Sequence, residues 1–381
     1  MENVFWFCFI FILYTYFIYP LSIKLISLVC PKADDYKLLD DTELPYITIV
    51  SSIYNGEKYI LQKLKSINNQ NYPQDKIKVI FVSDGSTDHT KEILKSISNE
   101  KVRPVFQKER KGKPSALNAA MNFVDTDIVV FTDIRQELSR DALRHIVSQL
   151  LGDQSVGAVS GELVHIDSEG KISSNVGLYW KYEKWIRFAE SRYKSMIGAT
   201  GALYAIRKDD YAPIEDDTVL DDLVIPMRIL RSGKLLKINS HAEMYDLISE
   251  NVRNEKSRKI RTLSGNYQAF LRDKWMFNPF KNIIFIQFLS HKVLRLFVPY
   301  FLIGLLLSNM FIFNIGIFYM IMMYAQLFFY ISYLVAKYFS WPRKLILCSF
   351  ALVFVELNIS AVQGLYMYLR NKSLVLWEKN D

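Results

Sequence analysis

Two textures alternate along the chain. Residues 4–21, VFWFCFIFILYTYFIYPL, contain no charged side chain, and a membrane-spanning helix needs about 20 consecutive apolar residues. The theme returns at 296–313, 315–336 and 345–368, the first two again without charge. A buried core helix would keep a polar stripe, so these runs predict membrane helices rather than interior ones. The first run follows an acidic start at Glu2 and has no small-residue cleavage site after it. An uncleaved anchor is therefore predicted, not a signal peptide.

Between these runs the period shortens. ITIVSSI (47–53), IKVIFVSD (77–84) and DIVVFTD (127–133) predict buried parallel strands. EKYILQKLKSINNQ, DHTKEILKSIS and PSALNAAMNFV predict the helices that cross between them. That alternation is the signature of a doubly wound α/β sheet. Such sheets bind ligands beyond the carboxyl ends of their strands. The tips in question are SIYNGE (52–57), SDGSTD (83–88), KERKGKPS (108–115) and FTDIRQ (131–136).

Composition sharpens both readings. A chain of 381 residues with 50% hydrophobic content and net charge +8 has room for one globular domain of about 200–250 residues beside its membrane helices. Lys24 and Lys32 follow the first helix, and Lys337, Arg343 and Lys344 lie between the last two. Positive charge marks the cytoplasmic side, so the middle of the chain is expected there and the N-terminus outside. Three later crossings would carry the basic tail LRNKSLVLWEKND outside, against the same rule, which leaves the C-terminal topology open. Glu356, inside the last run, reads equally as part of a polar path or as a helix–helix hydrogen bond. Cys8, Cys30 and Cys348 share no ligand spacing, so neither a zinc site nor a disulfide framework is expected.

The strand tips carry Asp84, Asp88 and Asp133 with Lys111 and Lys113, and glycines that expose backbone N–H groups. Acids for a base, ribose or metal, with amines and N–H donors for phosphates, suit a nucleotide. Neither G-x-x-x-x-G-K-[ST] nor G-x-G-x-x-G occurs, which disfavours ordinary P-loop and dinucleotide folds.

YNGEKYI, VSDGSTDHT, KGKPSALNAAM and FTD, in this order and spacing, resemble the GT-A domain of family 2 inverting glycosyltransferases. The membrane-embedded branch that includes cellulose, chitin, hyaluronan and poly-N-acetylglucosamine synthases is the nearest in layout. The resemblance implies an α/β fold: a GT-A, Rossmann-like, mostly parallel sheet in a cytoplasmic domain, with one N-terminal and about three C-terminal transmembrane helices. The expected divisions are an N-terminal helix (1–30), the glycosyltransferase domain (31–275), an interfacial amphipathic segment (276–295), C-terminal membrane helices (296–369) and a tail (370–381).

It also implies roles. Tyr54, Asp84, Lys113 and Asp133 match donor-binding positions, with Asp133 the metal-side acid for Mg2+ or Mn2+. VLDDLVIPMRI (219–229) takes the place of the family's acidic pair: Asp222 would be the general base and Asp221 its catalytic neighbour. Capping of the helix that follows is the plainer role for both. Thr200 and Gly201 in GATGALYAIRK (198–208) match the acceptor floor. RKIRTLSGNYQ (258–268) aligns Arg258 and Arg261 with a diphosphate clamp.

Two positions depart from the pattern. Arg135 stands where the second acid of an Asp-x-Asp triplet belongs, and it cannot ligate a cation. Thr262 stands where many synthases stack the acceptor on a tryptophan, with Trp180, Trp185 and Trp275 as candidate substitutes. The implied partners are a nucleotide-sugar donor, a UDP-sugar in this branch's manner, a glycan or lipid acceptor, the bilayer, and polysaccharide-export or accessory subunits. No nucleic-acid partner is expected.

Overall fold

The computed structural model describes residues 1–31, 35–167, 178–247 and 252–370. Lys32 and almost all of the basic tail lie outside the described residues. Eight strands form one sheet: β1 (Ile47–Ile53), β2 (Ile77–Asp84), β3 (Val102–Gln107), β4 (Ile128–Thr132), β5 (Glu137–Leu138), β6 (Val156–Ile166), β7 (Leu203–Arg207) and β8 (Leu235–Leu247). Their order is β3-β2-β1-β4-β7-β6-β8-β5. The four strands β3, β2, β1 and β4 run parallel, whereas β7 is antiparallel to both β4 and β6. The predicted doubly wound half is thus present and continues into a mixed half.

Helices α1 (Glu2–Leu28), α2 (Glu57–Asn68), α3 (Thr90–Ser96), α4 (Lys113–Met121) and α5 (Ala142–Gly152) come first in the chain. After them come α6 (Leu178–Tyr193), α7 (Asp221–Arg231) and α8 (Val252–Arg272). The sheet is buried on both faces because its central strands carry apolar residues that point to either side. Val50, Val82, Val129 and Phe131 face one core with α4 and α7. Ile49, Val79, Phe81 and Val130 face the other with α2 and α5. Alternate side chains along a strand point to opposite faces, so one apolar run serves two cores.

Four helices are long and apolar enough to cross a membrane: α1, then α9 (Phe285–Ile312), α10 (Ile317–Tyr338) and α11 (Ile346–Leu369). Helix α1 packs along α9, with Phe11 stacked on Phe301 and Phe5 edge-on to Tyr319 of α10. The interfacial amphipathic segment expected over 276–295 is the end of a short turn, a loop and the first part of α9. Asn282 explains the loop: its side chain donates to Met276 O at 2.7 Å and accepts from Ile284 N at 3.1 Å, replacing helical hydrogen bonds.

Helices of the α/β domain are tied to the apolar helices by polar contacts. Tyr19 of α1 donates to Glu190 of α6 at 2.5 Å. His291 of α9 reaches the same carboxylate at 2.9 Å, and Arg295 pairs with Glu183. Glu356 of α11 is held by Lys256 of α8 at 3.0 Å and by Lys337 of α10 at 3.3 Å. The membrane carboxylate is a helix–helix clasp, and it anchors the helix that carries Arg258 and Arg261.

Candidate active site

The four strand tips do converge. Tips 52–57 and 83–90 are laced together: Gly56 N donates to Thr90 Oγ1 at 2.9 Å and Glu57 N to Asp88 Oδ2 at 3.2 Å. Asp88 also accepts from Thr90 N at 3.1 Å. Its carboxylate therefore serves the local backbone. Asp84 is buried and accepts from Lys111 N at 2.7 Å and Gly112 N at 2.8 Å, shaping the basic loop; each oxygen keeps a second lone pair. Gly85, at φ +62°, lies so close to that loop that a Cβ would be 2.3 Å from Arg110 N. The guanidinium of Arg110 covers the ring of Tyr54 at 3.7 Å.

Lys113 opens α4 and sits at the centre. Its Nζ lies 2.9 Å from Asp133 Oδ1 and 3.1 Å from Asp221 Oδ2. Burial works against the ammonium, yet Asp133, Asp221 and Asp222 together hold it above the ordinary lysine value.

Asp221 and Asp222 occupy the first turn of α7, and no side-chain hydrogen bond caps that helix. The plainer capping role does not apply to them. The loop 198–202 wraps around Asp222. Ala199 N donates to its backbone carbonyl at 2.7 Å, and a Cβ on Gly201 would sit 2.9 Å from its Oδ2. Thr200 is held by Arg187 of α6, whose Nη2 donates to its Oγ1 at 3.0 Å. Burial, then Asp221 and Asp133, push the Asp222 carboxyl up to about 6, against the pull of Lys113 and Arg187.

Arg135 pairs with Asp246 of β8 at 2.6 Å. Gln136 is buried. On α8, Arg261 donates to Val219 O at 3.4 Å, beside the start of α7. Gly265, one turn on, packs against Val219 and Leu220. Thr262 is exposed. Of the three tryptophans, Trp275 is core, Trp185 packs with Tyr19 and Ile23 of α1, and Trp180 lies beside His165 at 5.2 Å.

Sequence reasoning did not single out Arg187, Asp246 or Lys63. Lys63 carried a signal: it lies on the stripe of Ile60 and Ile67, where α2 is buried. Asp246 and Arg187 carried none, since each meets its partner across a long sequence separation.

Among the described residues no three His, Cys, Asp or Glu side chains converge as a metal cage. Asp133, 40% exposed at its side chain, suits a divalent cation whose remaining ligands are diphosphate oxygens and water. Magnesium is commonly held in that way, through one or two carboxylates and the substrate.

Residues 48–212 match the family described as glycosyl transferase family 2. That stretch, residues 48–212, is a glycosyltransferase family 2 domain by this match. A Bacillus subtilis protein named "Probable glycosyltransferase YdaM" is 26% identical, over 73% of this chain and 68% of its own length. A poly-beta-1,6-N-acetyl-D-glucosamine synthase of Staphylococcus aureus is 24% identical over 61% of this chain. The match spans 57% of that relative's length. Among solved structures, the mannosyltransferase PcManGT from Pyrobaculum calidifontis, in complex with GDP-Man and Mn2+, shares the fold. Its TM-score is 0.72 over 97% of this chain and 99% of its own, at 21% identity. The glycosyltransferase domain is therefore GT-A-like, and the likeness extends through the membrane helices.

Proposed function

We propose that this protein is a membrane-embedded, inverting hexosyltransferase that moves a sugar from a nucleotide-sugar, taken as a UDP-sugar, to a growing polysaccharide chain. The observation that carries the reading is the bridge Asp133–Lys113–Asp221, with Asp222 one residue further on and enclosed by the 198–202 loop. A donor-side acid, a fixed ammonium and an acceptor-side base lie in one line of contacts.

In this reading Tyr54 and Asp84 border the base, and Lys113, Arg258 and Arg261 face the diphosphate. Asp222 takes the proton from the acceptor hydroxyl as its oxygen attacks the anomeric carbon opposite the leaving nucleoside diphosphate. Its raised carboxyl is still ionised at neutral pH. Asp221, paired with Lys113, keeps negative charge beside the base. Thr200, oriented by Arg187, and Gly201 form the acceptor floor. A divalent ion, Mg2+ or Mn2+, would be held by Asp133 and would supply charge neutralisation on the leaving diphosphate. Supporting a glycan acceptor is the resemblance to synthases that build polysaccharides, one of which is among the relatives. Supporting a catalytic domain on the cytoplasmic side of the cell membrane are Lys24, Lys337, Arg343 and Lys344, basic residues beside the apolar helices.

A second reading, one sugar transferred to a lipid, is favoured by exposed Thr262 in the place of a stacking tryptophan. Membranes supplied with labelled UDP-sugar decide between them. High-mass polymer supports the first, and an organic-extractable glycolipid supports the second. Absence of any nucleoside diphosphate release from a panel of donors overturns both.

A further inference from the structure

Lys63 is 1% exposed, the most deeply buried lysine among the described residues. Its position on α2 belongs to the stripe that Ile60 and Ile67 bury, where an aliphatic side chain would pack without cost. An ammonium there loses its hydration, a penalty of several kcal/mol unless strong hydrogen bonds offset it. Burial pushes its pKa down to about 7, while Asp133 and Glu137 pull it back up.

Both of its hydrogen-bond partners are neutral, and they bracket one loop. Nζ donates to Thr132 Oγ1 at 2.7 Å and to Gln136 O at 2.7 Å. Asp133 and Arg135 lie between those two points. The Thr132 hydroxyl, accepting from Lys63, donates onward to Ala202 O at 2.8 Å. Ala202 follows Gly201, the residue in contact with Asp222. A three-member chain therefore runs from α2 through the tip of β4 to the loop around the proposed base.

We infer that Lys63 is a positioning residue for sugar transfer, setting the tip that carries Asp133 and coupling it, through Thr132, to the 198–202 loop. This rests on the reading of Asp133 as a donor-side acid and Asp222 as the base. Arg135, tied to Asp246, fixes the loop from its other side. Together the two cations hold a triplet whose second acid is missing.

The test uses the full-length protein in detergent or nanodiscs, with Lys63→Met as the main variant and Thr132→Val as the second. Lys63→Met keeps length and apolar packing, so its melting temperature is expected to hold. Thr132→Val breaks the link to Ala202 while leaving the Lys63 bond to Gln136 O. For Lys63→Met, kcat/KM for transfer is expected to fall on the order of 10²-fold, the scale of a misplaced catalytic group. Affinity for nucleoside diphosphate with Mn2+ should fall with it, while nucleoside monophosphate binding stays within about twofold because the base-side tips are separate. Thr132→Val should show the same signature in milder form, and the double variant should be no worse than Lys63→Met alone.

Transfer by Lys63→Met within about threefold of the unmodified protein would overturn the inference. So would equal loss of monophosphate and diphosphate binding, or strict additivity of the two variants. Should Lys63→Met not fold, Thr132→Val decides alone: an unchanged kcat/KM sinks the coupling. A failure of the underlying reading looks different, because the unmodified protein would then release no nucleoside diphosphate.

Discussion

The Cβ that Gly201 lacks would lie 2.9 Å from Oδ2 of Asp222, so the 198–202 loop and that carboxylate occupy one shared space. Any side chain at 201 must displace one or the other. Gly201→Ala is expected to lower kcat on the order of 10²-fold, since small misplacements of a catalytic group cost about that much. Nucleoside diphosphate affinity should be unchanged, because Lys113 and Asp84 stand on other tips. Steady-state kinetics beside a binding titration check both halves; unimpaired turnover removes Asp222 from the reaction.

Asp222 predicts the acid limb of the pH profile. Burial and Asp221 raise its carboxyl to about 6, and a general base works only when deprotonated. Thus kcat/KM should rise with pH up to about 6 and level off above it, falling about tenfold per unit on the acid side. Asp222→Asn should lose on the order of 10²–10⁴ in rate, and that limb with it, while still binding nucleotide. A limb that persists in the variant belongs to another group.

Lys113 is the cation between two carboxylates, at 2.9 Å and 3.1 Å. On the proposed reading, replacing it by methionine removes a charge-assisted contact to the donor, a loss of about 1.5–3 kcal/mol, or roughly 10–100-fold in diphosphate affinity. Calorimetric titration with nucleoside diphosphate measures it, and a nucleoside monophosphate control should move less.

Metal use rests on Asp133 alone within its triplet. EDTA is expected to stop transfer, and Mn2+ or Mg2+ to restore it; Asp133→Ala should raise the metal concentration needed for half-maximal rate. If EDTA leaves transfer intact while Asp133→Ala abolishes it, the acid acts on the sugar and the metal role is wrong.

Arg135 and Asp246 form a pair in which the carboxylate is 9% and the arginine 33% exposed. Arg135→Met strands a buried negative charge and should destabilise the protein by about 2 kcal/mol. Asp246→Asn combined with it should recover most of that loss, because the stranded charge is then gone. Thermal denaturation of the two variants beside the unmodified protein in detergent gives the answer; equal melting temperatures would mean the pair is not structural.

Much of this arrangement was legible in one dimension. The four strand tips were readable because each ends an apolar run, and the cleft of a parallel sheet lies where such runs end. Asp222 and Gly201 were legible only through resemblance to a family, since a Thr-Gly pair and two aspartates have ordinary uses elsewhere. Asp84 and Asp88 looked equally available, yet Asp88 accepts from the N–H groups of Glu57 and Thr90, and Asp84 from those of Lys111 and Gly112. The interfacial segment expected over 276–295 is a loop for its first part, because the side chain of Asn282 competes with helical hydrogen bonds.

Hydrophobic period, charge and local chemistry are properties of neighbours along the chain, and from them come the membrane runs, the α/β alternation and the acids and amines at the tips. Which of those acids face one another depends on contacts between residues far apart. The ion pair of Arg135 with Asp246, the bridge of Lys113 to Asp133 and Asp221, and the reach of Lys63 to Thr132 all form only once the sheet has brought distant segments together. Arg135 shows the difference most plainly. As a residue in a triplet it is a missing ligand, and in the folded protein it is one half of a tie that holds the loop in place.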